Sequence, residues 1–235
     1  MTALPTKRDE AWRYSNIDAV AALWPVPSAT VIDVAAGAKE TRHLIADAGI
    51  HDFAITLHAG AQMDFHVLNV APRYARIAID VTLHDGAHFE FCAVQIGDGA
   101  TTLDIVTTVR HIEPNATSRQ TVRTVLGGTA TGTYLGKVAV ARDAQKTDSV
   151  QSVKAMLLTR TATANAKPEL EIYADDVKCA HGCAIGELDQ QAMFYLASRG
   201  IPPLEAQTLL LRAFVAEVFD GADRKSTRLN SSHVD

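Results

Sequence analysis

Three side chains that can bind soft metal ions lie within five residues of one another. The stretch DDVKCAHGCAIGELD, residues 175–189, places Cys179, His181 and Cys183 at every second position. In a β-strand alternate side chains point the same way, so these three would line one face at intervals of roughly 7 Å. Thiolate and imidazole together suit zinc, Cu(I) and iron-sulfur species, whereas calcium and magnesium require clustered oxygen ligands. The spacing is compatible with a metal site, a thiol site or a crowded turn.

The ligand set of this stretch is incomplete for a structural zinc site. Such a site usually has four ligands, often supplied by two Cys or Cys-His pairs, and no second pair of that kind occurs elsewhere in the sequence. Cys92, in FEFCAVQI, is typical of a small buried apolar residue. Further ligands therefore come from a partner chain, or the stretch is not a metal site. On composition alone, His181 and Cys183 are as well explained by ordinary scaffold roles.

Other sequence signals for catalysis are absent. The sequence has no G-x-S-x-G, no G-x-x-x-x-G-K-[ST] and no H-E-x-x-H. These are the usual sequence motifs of hydrolases, nucleotide-binding enzymes and zinc proteases, respectively. We therefore expect no nucleotide bound by this chain.

Composition and charge narrow the class of protein further. The 235 residues carry 22 basic and 27 acidic side chains, a net charge of -5, which favours neither nucleic acid nor acidic membranes as partners. No apolar run approaches the roughly 20 residues of a membrane span, and MTALPTKRDE lacks the apolar segment of a secretory signal. Three cysteines do not make a disulfide framework. We expect a cytoplasmic protein with no membrane partner.

The region that must position the candidate site is rich in β-strand signals. In RIAIDVTL, apolar residues alternate with polar ones, which is typical of a strand with one buried face. LHAGAQMDF at 57–65 returns as LHDGAHFEF at 83–91, and Gly60, Gly86 and Gly99 are spaced by 26 and 13 residues. A recurring strand and turn favours stacked coils, that is a β-helix over about residues 29–187, with a β-sandwich as the alternative.

Helical signals flank this β region. Residues 1–28 read as a short N-terminal helical arm and a Pro-containing linker. Over 188–221, Asp189 is a predicted N-cap, Gly200 a predicted C-terminal cap, and Pro202 and Pro203 begin a second helix. Gly221 is expected to end that helix. Residues 222–235 are polar and aperiodic, and we interpret them as a non-native tail.

Two parts of the sequence resemble the SufB/SufD family of iron-sulfur cluster assembly, and most closely its SufD branch. The first is KPELEIYADDVKCAHGCAIGELDQQAMFYLASRGIPPLEAQTLLLRAFVAEVF, residues 167–219, and the second is PTKRDEAWRYSNI near the N-terminus. The joined motifs D-D-V-K-C-x-H-G and F-Y-L-x-S-R-G-I make chance similarity improbable. With the β-rich region between them, the resemblance covers nearly all of residues 5–219.

The resemblance implies a mainly β fold, a right-handed parallel β-helix with a short N-terminal helical arm and C-terminal helices. It also implies a non-catalytic scaffold that pairs with a SufB-like paralogue and contacts a SufC-like ATPase, with a homodimer as a further state of the isolated chain. The family role passes to His181, as a ligand at the partner interface for iron or a transient iron-sulfur cluster. Cys179 matches the cysteine of the same motif, with a less defined role as a ligand.

Departures from the family pattern leave alternatives open. Cys183 stands where family versions carry a small residue, so no role passes to it, and the region after Phe219 leaves the extent of the ATPase contact open. A SufB-like subunit is the alternative within the same architecture. A metal-dependent β-helical enzyme acting on a small molecule is the alternative from another class, although such an enzyme would usually show acidic residues recurring on one sheet face.

Overall fold

The computed structural model describes residues 3–218, which form two parallel sheets of six strands each. The first sheet contains, in spatial order, β1 (Thr30–Val34), β3 (Gly49–Leu57), β5 (Tyr74–Leu83), β7 (Thr102–His111), β9 (Thr131–Val140) and β11 (Thr163–Ile172). The second contains β2 (Lys39–Ala46), β4 (Gln62–Asn69), β6 (His88–Gly97), β8 (Thr117–Leu126), β10 (Asp148–Leu157) and β12 (Lys178–Glu187).

Consecutive strands alternate between the two sheets, so each turn of the chain adds one strand to each sheet. The pairings within both sheets are parallel, from β1 with β3 to β10 with β12, whereas a sandwich of hairpins would pair its strands antiparallel. The chain is therefore a stack of coils in which each coil contacts mainly its neighbours. The predicted mainly β fold, a parallel β-helix with flanking helices, is confirmed.

Glycine corners explain the repeat seen in the sequence. Gly60 and Gly86 have φ angles of 68° and 63° and lie at successive levels of one corner, where the Gly60 N–H donates to the carbonyl of Asp85 at 2.8 Å. Gly99, with φ of 61°, lies at another corner, after β6. Positive φ is accessible to glycine at little cost. The spacing of 26 residues is thus one full turn of the coil, and the spacing of 13 is about half a turn.

The interior of the coil is filled by the side chains that alternate inward along each strand. In β5, Ile77, Ile79, Val81 and Leu83 are at most 2 % exposed, as the alternation in RIAIDVTL predicts. At the first described coil, Glu40 and Arg42 occupy inward positions, because they are in register with the buried Met63 and Phe65. Arg42 Nε donates to Glu40 Oε1 at 2.7 Å, so the exposed end of the interior carries an ion pair at this coil.

The N-terminal arm packs on the outer face of the first sheet. A 3-10 turn (Glu10–Trp12) precedes α1 (Ile17–Ala22), whose N-cap Asn16 accepts a hydrogen bond from the backbone N–H of Ala19. Val20 of α1 packs with Ile50 and Tyr74 of the sheet. The predicted helical arm is confirmed, and its short helix depends on this packing because an isolated helix of six residues is unstable in water.

A buried polar network, here termed the arm latch, ties the arm to the sheet through Ser15, Tyr74, Arg76 and Asp104. The Ser15 hydroxyl donates to Asp104 Oδ2 at 2.6 Å and the Tyr74 hydroxyl donates to the same oxygen at 3.2 Å. Arg76 lies 3.8 Å from Asp104, and its guanidinium lies 3.8 Å over the ring of Trp12. Burial raises the pKa of Asp104 and lowers that of Arg76, so each charge depends on the other.

Two helices follow the last strand. Asp189 caps α2 (Gln190–Ser198) by accepting from the backbone N–H groups of Gln191 and Ala192. Gly200, with φ of 82°, follows the end of α2, and α3 (Pro203–Ala216) begins with a proline. The predicted caps at Asp189 and Gly200 are confirmed. The predicted stop at Gly221 and the tail at 222–235 lie outside the described residues.

The end of α3 is fastened to the outer face of the second sheet. Glu217 accepts from Arg123 Nε at 3.1 Å and from Lys154 Nζ at 2.8 Å. Val215 and Val218 pack against Cys92 of β6. Among residues 3–218, no helix is both long and apolar enough to cross a membrane.

Candidate functional site at the last coil

The three candidate ligands lie on β12, which is the terminal strand of the second sheet. β12 pairs with β10, and the register places Cys179, His181 and Cys183 on Ser149, Gln151 and Val153. Those three partners are at most 2 % exposed and point inward. In-register residues of parallel neighbours point to the same face, so the candidate ligands form the inward row of the last described coil. The predicted shared face of the three residues is confirmed.

No further strand covers this row in the described part of the chain. Cys179 is half-buried and packs against the main hydrophobic core, whereas His181 and Cys183 are exposed. The side of β12 that faces away from β10, here termed the open edge, also leaves backbone N–H and C=O groups without strand partners among residues 3–218. Such an edge is a template for strand addition.

Within residues 3–218, the surroundings of the two thiols do not activate them. Burial raises the pKa of Cys179, and the nearby carboxylate of Asp148 raises it further, against a hydrogen bond from the backbone of Ser149. Burial also raises the pKa of Cys183. The thiolate is the form that binds metal or attacks sulfur. The described surroundings of both thiols therefore favour the protonated form, which is the poorer ligand.

The ligand set is incomplete in the structure, as it is in the sequence. Within residues 3–218, no three His, Cys, Asp or Glu side chains are placed to hold a metal ion together. Cys92 does not complete the site, because β6 lies three strands from β12, about 14 Å away. Cys92 is 2 % exposed and packs with α3 on the outer face, so its predicted packing role is confirmed. The arrangement provides half of a site.

Beneath the candidate ligands lies a polar patch in an otherwise apolar interior, here termed the lumen cluster. Thr107 Oγ1 and the Tyr134 hydroxyl both donate to Gln120 Oε1, at 2.7 and 2.9 Å. Gly136 leaves the space for Tyr134, because a Cβ atom at that glycine would collide with the tyrosine hydroxyl. The other members of the lumen cluster are buried polar side chains, all at most 1 % exposed: His111, Ser118, Ser149 and Gln151.

Sequence reasoning missed the lumen cluster, although its signal is present. Ser118-Arg119-Gln120 and Ser149-Val150-Gln151 repeat one pattern at the same level of successive coils. Cys179-Ala180-His181 is the third member of that column. The pattern of a small polar residue followed two positions later by a larger polar one is visible in the sequence, but the stacking of its copies into one column is visible only in the structure. The metal-ligand types enter the column only where it becomes exposed.

Within the lumen cluster, burial of His111 is expected to make the stability of the fold depend on pH. Burial lowers its pKa to about 4, and one ring nitrogen lies 2.9 Å from Ser118 Oγ. In the unfolded chain His111 takes up a proton near pH 6.5, whereas in the folded chain it does so only near pH 4. The contribution of neutral His111 to stability is therefore complete above pH 6.5 and is lost as the pH falls towards 4. We expect the free energy of unfolding to be about 2 kcal/mol lower at pH 5 than at pH 7 from this group.

Urea unfolding at the two pH values measures this effect. His111→Gln cannot take up the proton, so the difference between pH 5 and pH 7 should shrink by about 2 kcal/mol in that variant. His51→Gln is the matched control, because His51 lies outside the lumen cluster and its ring bonds the nearby carbonyl of Ala48. An unchanged pH dependence in His111→Gln would show that His111 titrates alike in both states.

Comparison with known proteins identifies relatives of the chain. The family model for the SUF system FeS cluster assembly SufBD core domain matches residues 31–214. The iron-sulfur cluster assembly protein SufD of Escherichia coli is 39 % identical over 115 residues, 49 % of this chain and 27 % of that protein. A SufBD family protein of Synechocystis sp. is 32 % identical over 173 residues, 72 % of this chain and 38 % of that protein. The chloroplastic protein ABCI7 of Arabidopsis thaliana is 36 % identical over 128 residues, 54 % of this chain and 27 % of that protein. The chain therefore aligns with well under half the length of these relatives.

Proposed function

The chain belongs to the SufB/SufD family of iron-sulfur cluster assembly, and we propose that it acts as the non-catalytic, SufD-like scaffold subunit. The single observation that carries the proposal is the half-site on β12. Cys179 and His181 stand on an uncovered strand, and within residues 3–218 no third His, Cys, Asp or Glu side chain is placed to hold a metal ion together with them. A scaffold that shares a site with a partner has this arrangement, whereas an enzyme acting alone needs a complete one.

The open edge supports a SufB-like paralogue as the partner. A second β-helix of the same family presents a matching coil end, and strand addition at β12 would extend the second sheet across the contact. The paralogue would then cover Cys179 and His181 and supply the remaining ligands. The cargo of this joint site is iron or a nascent iron-sulfur cluster, which thiolate and imidazole ligands suit.

The C-terminal helices support contact with a SufC-like ATPase. α2 and the start of α3 expose large apolar side chains, with Phe194 at 76 %, Tyr195 at 58 % and Leu204 at 79 %. Exposed aromatic and aliphatic clusters mark protein interaction sites more often than they mark free surface. The nucleotide would be bound by that partner, because this chain lacks the sequence motifs for it.

Two alternatives fit less well. A SufB-like role is disfavoured by the relatives that carry the name SufD. An independent metal-dependent enzyme is disfavoured by the lack of a cluster of three ligand side chains in the described range.

Co-purification with SufB-like and SufC-like partners tests the proposal. We expect the tagged chain to retain both partners and the variant Ile185→Asp to retain about tenfold less of the SufB-like one, because this change places a charge in the inward row at the open edge. Ile45→Asp is the matched control, since Ile45 is an exposed isoleucine on β2 at the other end of the sheet. Equal loss with both variants, or no partner retained by the parent, would contradict the proposed contact.

A further inference from the structure

Gln151, which lies in register with His181 on the neighbouring strand, has a buried side-chain amide without a well-formed hydrogen bond. The side chain is 1 % exposed, and the register of β10 with β12 places His181 on it. Within residues 3–218, neither the amide nitrogen nor the amide oxygen has a partner at ordinary hydrogen-bond geometry. An unpaired buried amide destabilises a fold, so a purely structural role at this position would be met better by an apolar residue.

Gln120, one coil below Gln151 in the same column, is a buried amide whose oxygen has hydrogen-bond partners. Gln120 is in register with Gln151, and its oxygen accepts from both Thr107 and Tyr134. Gln151 also points inward, one coil further along, and its neighbour on the other side is the exposed His181. Its amide therefore lies between the satisfied Gln120 and the candidate site.

The surroundings also orient the Gln151 amide. The Tyr134 hydroxyl donates to Gln120, so its oxygen keeps a lone pair for another donor. Gln151 lies close enough to this hydroxyl to oppose the rise that burial causes in the pKa of Tyr134. An amide nitrogen turned towards Tyr134 leaves the amide oxygen for a donor elsewhere, and the neighbouring side chain in the next coil is His181.

We propose that Gln151 is a positioning residue for His181, whose ring N–H it accepts through its amide oxygen. This hydrogen bond fixes the proton on the inner ring nitrogen and leaves the lone pair of the outer nitrogen facing the open edge. A histidine that binds a metal needs one ring nitrogen with a free lone pair and the other nitrogen protonated and hydrogen-bonded. The inference rests on the proposed function for the purpose of the bond, but the bond would form in the chain without metal or partner.

The tautomer of His181 in the full 235-residue chain, free of metal, tests the proposal. Nitrogen-15 NMR at a fixed pH of 8.5 reads the ratio of the two N–H tautomers, with the resonances assigned by their absence in His181→Asn. We expect the parent to hold one tautomer in excess and Gln151→Met to reduce that excess about fivefold, the loss equivalent to one hydrogen bond. Gln151→Glu keeps an acceptor oxygen and should retain most of the excess.

Gln120→Met is the matched control, because it removes a buried amide from the same column two coils away from His181. It should lower the thermal midpoint, since Gln120 accepts two hydrogen bonds, while the His181 tautomer stays as in the parent. A tautomer ratio in Gln151→Met within about twofold of the parent would overturn the proposal. An equal change in Gln120→Met would also overturn it, because the effect would then be a general loosening of the coil.

A second measurement needs no variant and keeps the test decisive if Gln151→Met folds poorly. Nuclear Overhauser contacts between the side-chain amide protons of Gln151 and the His181 ring protons should be present in the parent, and their absence would overturn the bond. Failure of this bond leaves co-purification with the partners unaffected. The proposed function and the positioning role therefore fail separately.

Discussion

His181→Ala is expected to lower the iron and acid-labile sulfide bound per assembled complex by at least about tenfold, the scale on which loss of a ligand or its support weakens a metal site. The imidazole lies on the exposed inward row of β12, outside the packed interior of the coil. The thermal midpoint of the isolated variant should therefore stay close to that of the parent. Iron and sulfide analysis after reconstitution, beside thermal unfolding, makes the measurement.

The controls for His181→Ala separate the site from the fold. His43→Ala removes an exposed imidazole from β2, the terminal strand at the opposite end of the same sheet, and should leave cluster formation unchanged. Cys92→Ala should also leave it near normal, because Cys92 packs under α3. Cys179→Ala should fall between these controls and His181→Ala. Normal cluster loading with His181→Ala would remove His181 from the site.

Asp104→Ala is expected to lower the free energy of unfolding by about 3–5 kcal/mol, the cost of leaving a buried charge without its partner. Arg76 would lose the carboxylate at 3.8 Å, and its side chain is 4 % exposed, so water cannot replace the partner easily. Ser15 and Tyr74 would lose their shared acceptor as well. Urea unfolding of the isolated chain measures the loss, and proteolysis near Ser15 should accelerate as the arm detaches.

Two variants bound the interpretation of Asp104→Ala. Asp80→Ala breaks an ion pair with Arg110 whose side chains are 49 % and 43 % exposed, so it should cost less than about 1 kcal/mol. Replacing Arg76 and Asp104 together with leucine should cost less than Asp104→Ala alone, because no charge is then left buried. Equal losses from Asp80→Ala and Asp104→Ala would mean that the arm latch contributes little to stability.

The sequence predicts the repeat and the shared face of the candidate ligands because both depend on local spacing. Gly60 and Gly86 mark successive turns of one corner, and alternation places Cys179 and His181 on one side of a strand. These spacings give the number of residues per coil only where the corners resemble one another. From Thr131 to Thr163 the register offset is 32 residues, whereas from Thr30 to Phe53 it is 23, so no single period describes the chain.

The lumen cluster and the arm latch could not be predicted in the same way, because their members meet only through stacking. Ser15 and Asp104 are 89 residues apart in sequence, and no local pattern connects them. The position of Gln151 under His181 depends on the register of β10 with β12, which the exposed residues of β12 do not reveal. The incomplete ligand set, by contrast, is visible in both sequence and structure.

The ion pair of Glu40 and Arg42 bears on how copies of this coil could polymerise. Head-to-tail stacking of identical molecules would bring these inward charges of the first described coil against Cys179 and His181 of the last. Burying an ion pair against thiol and imidazole groups is costly, so growth of an open filament is disfavoured at each step. A contact between two thiol-bearing ends would instead close after two molecules. The ion pair at one end of the described coils thus disfavours open filaments more than it disfavours a closed pair.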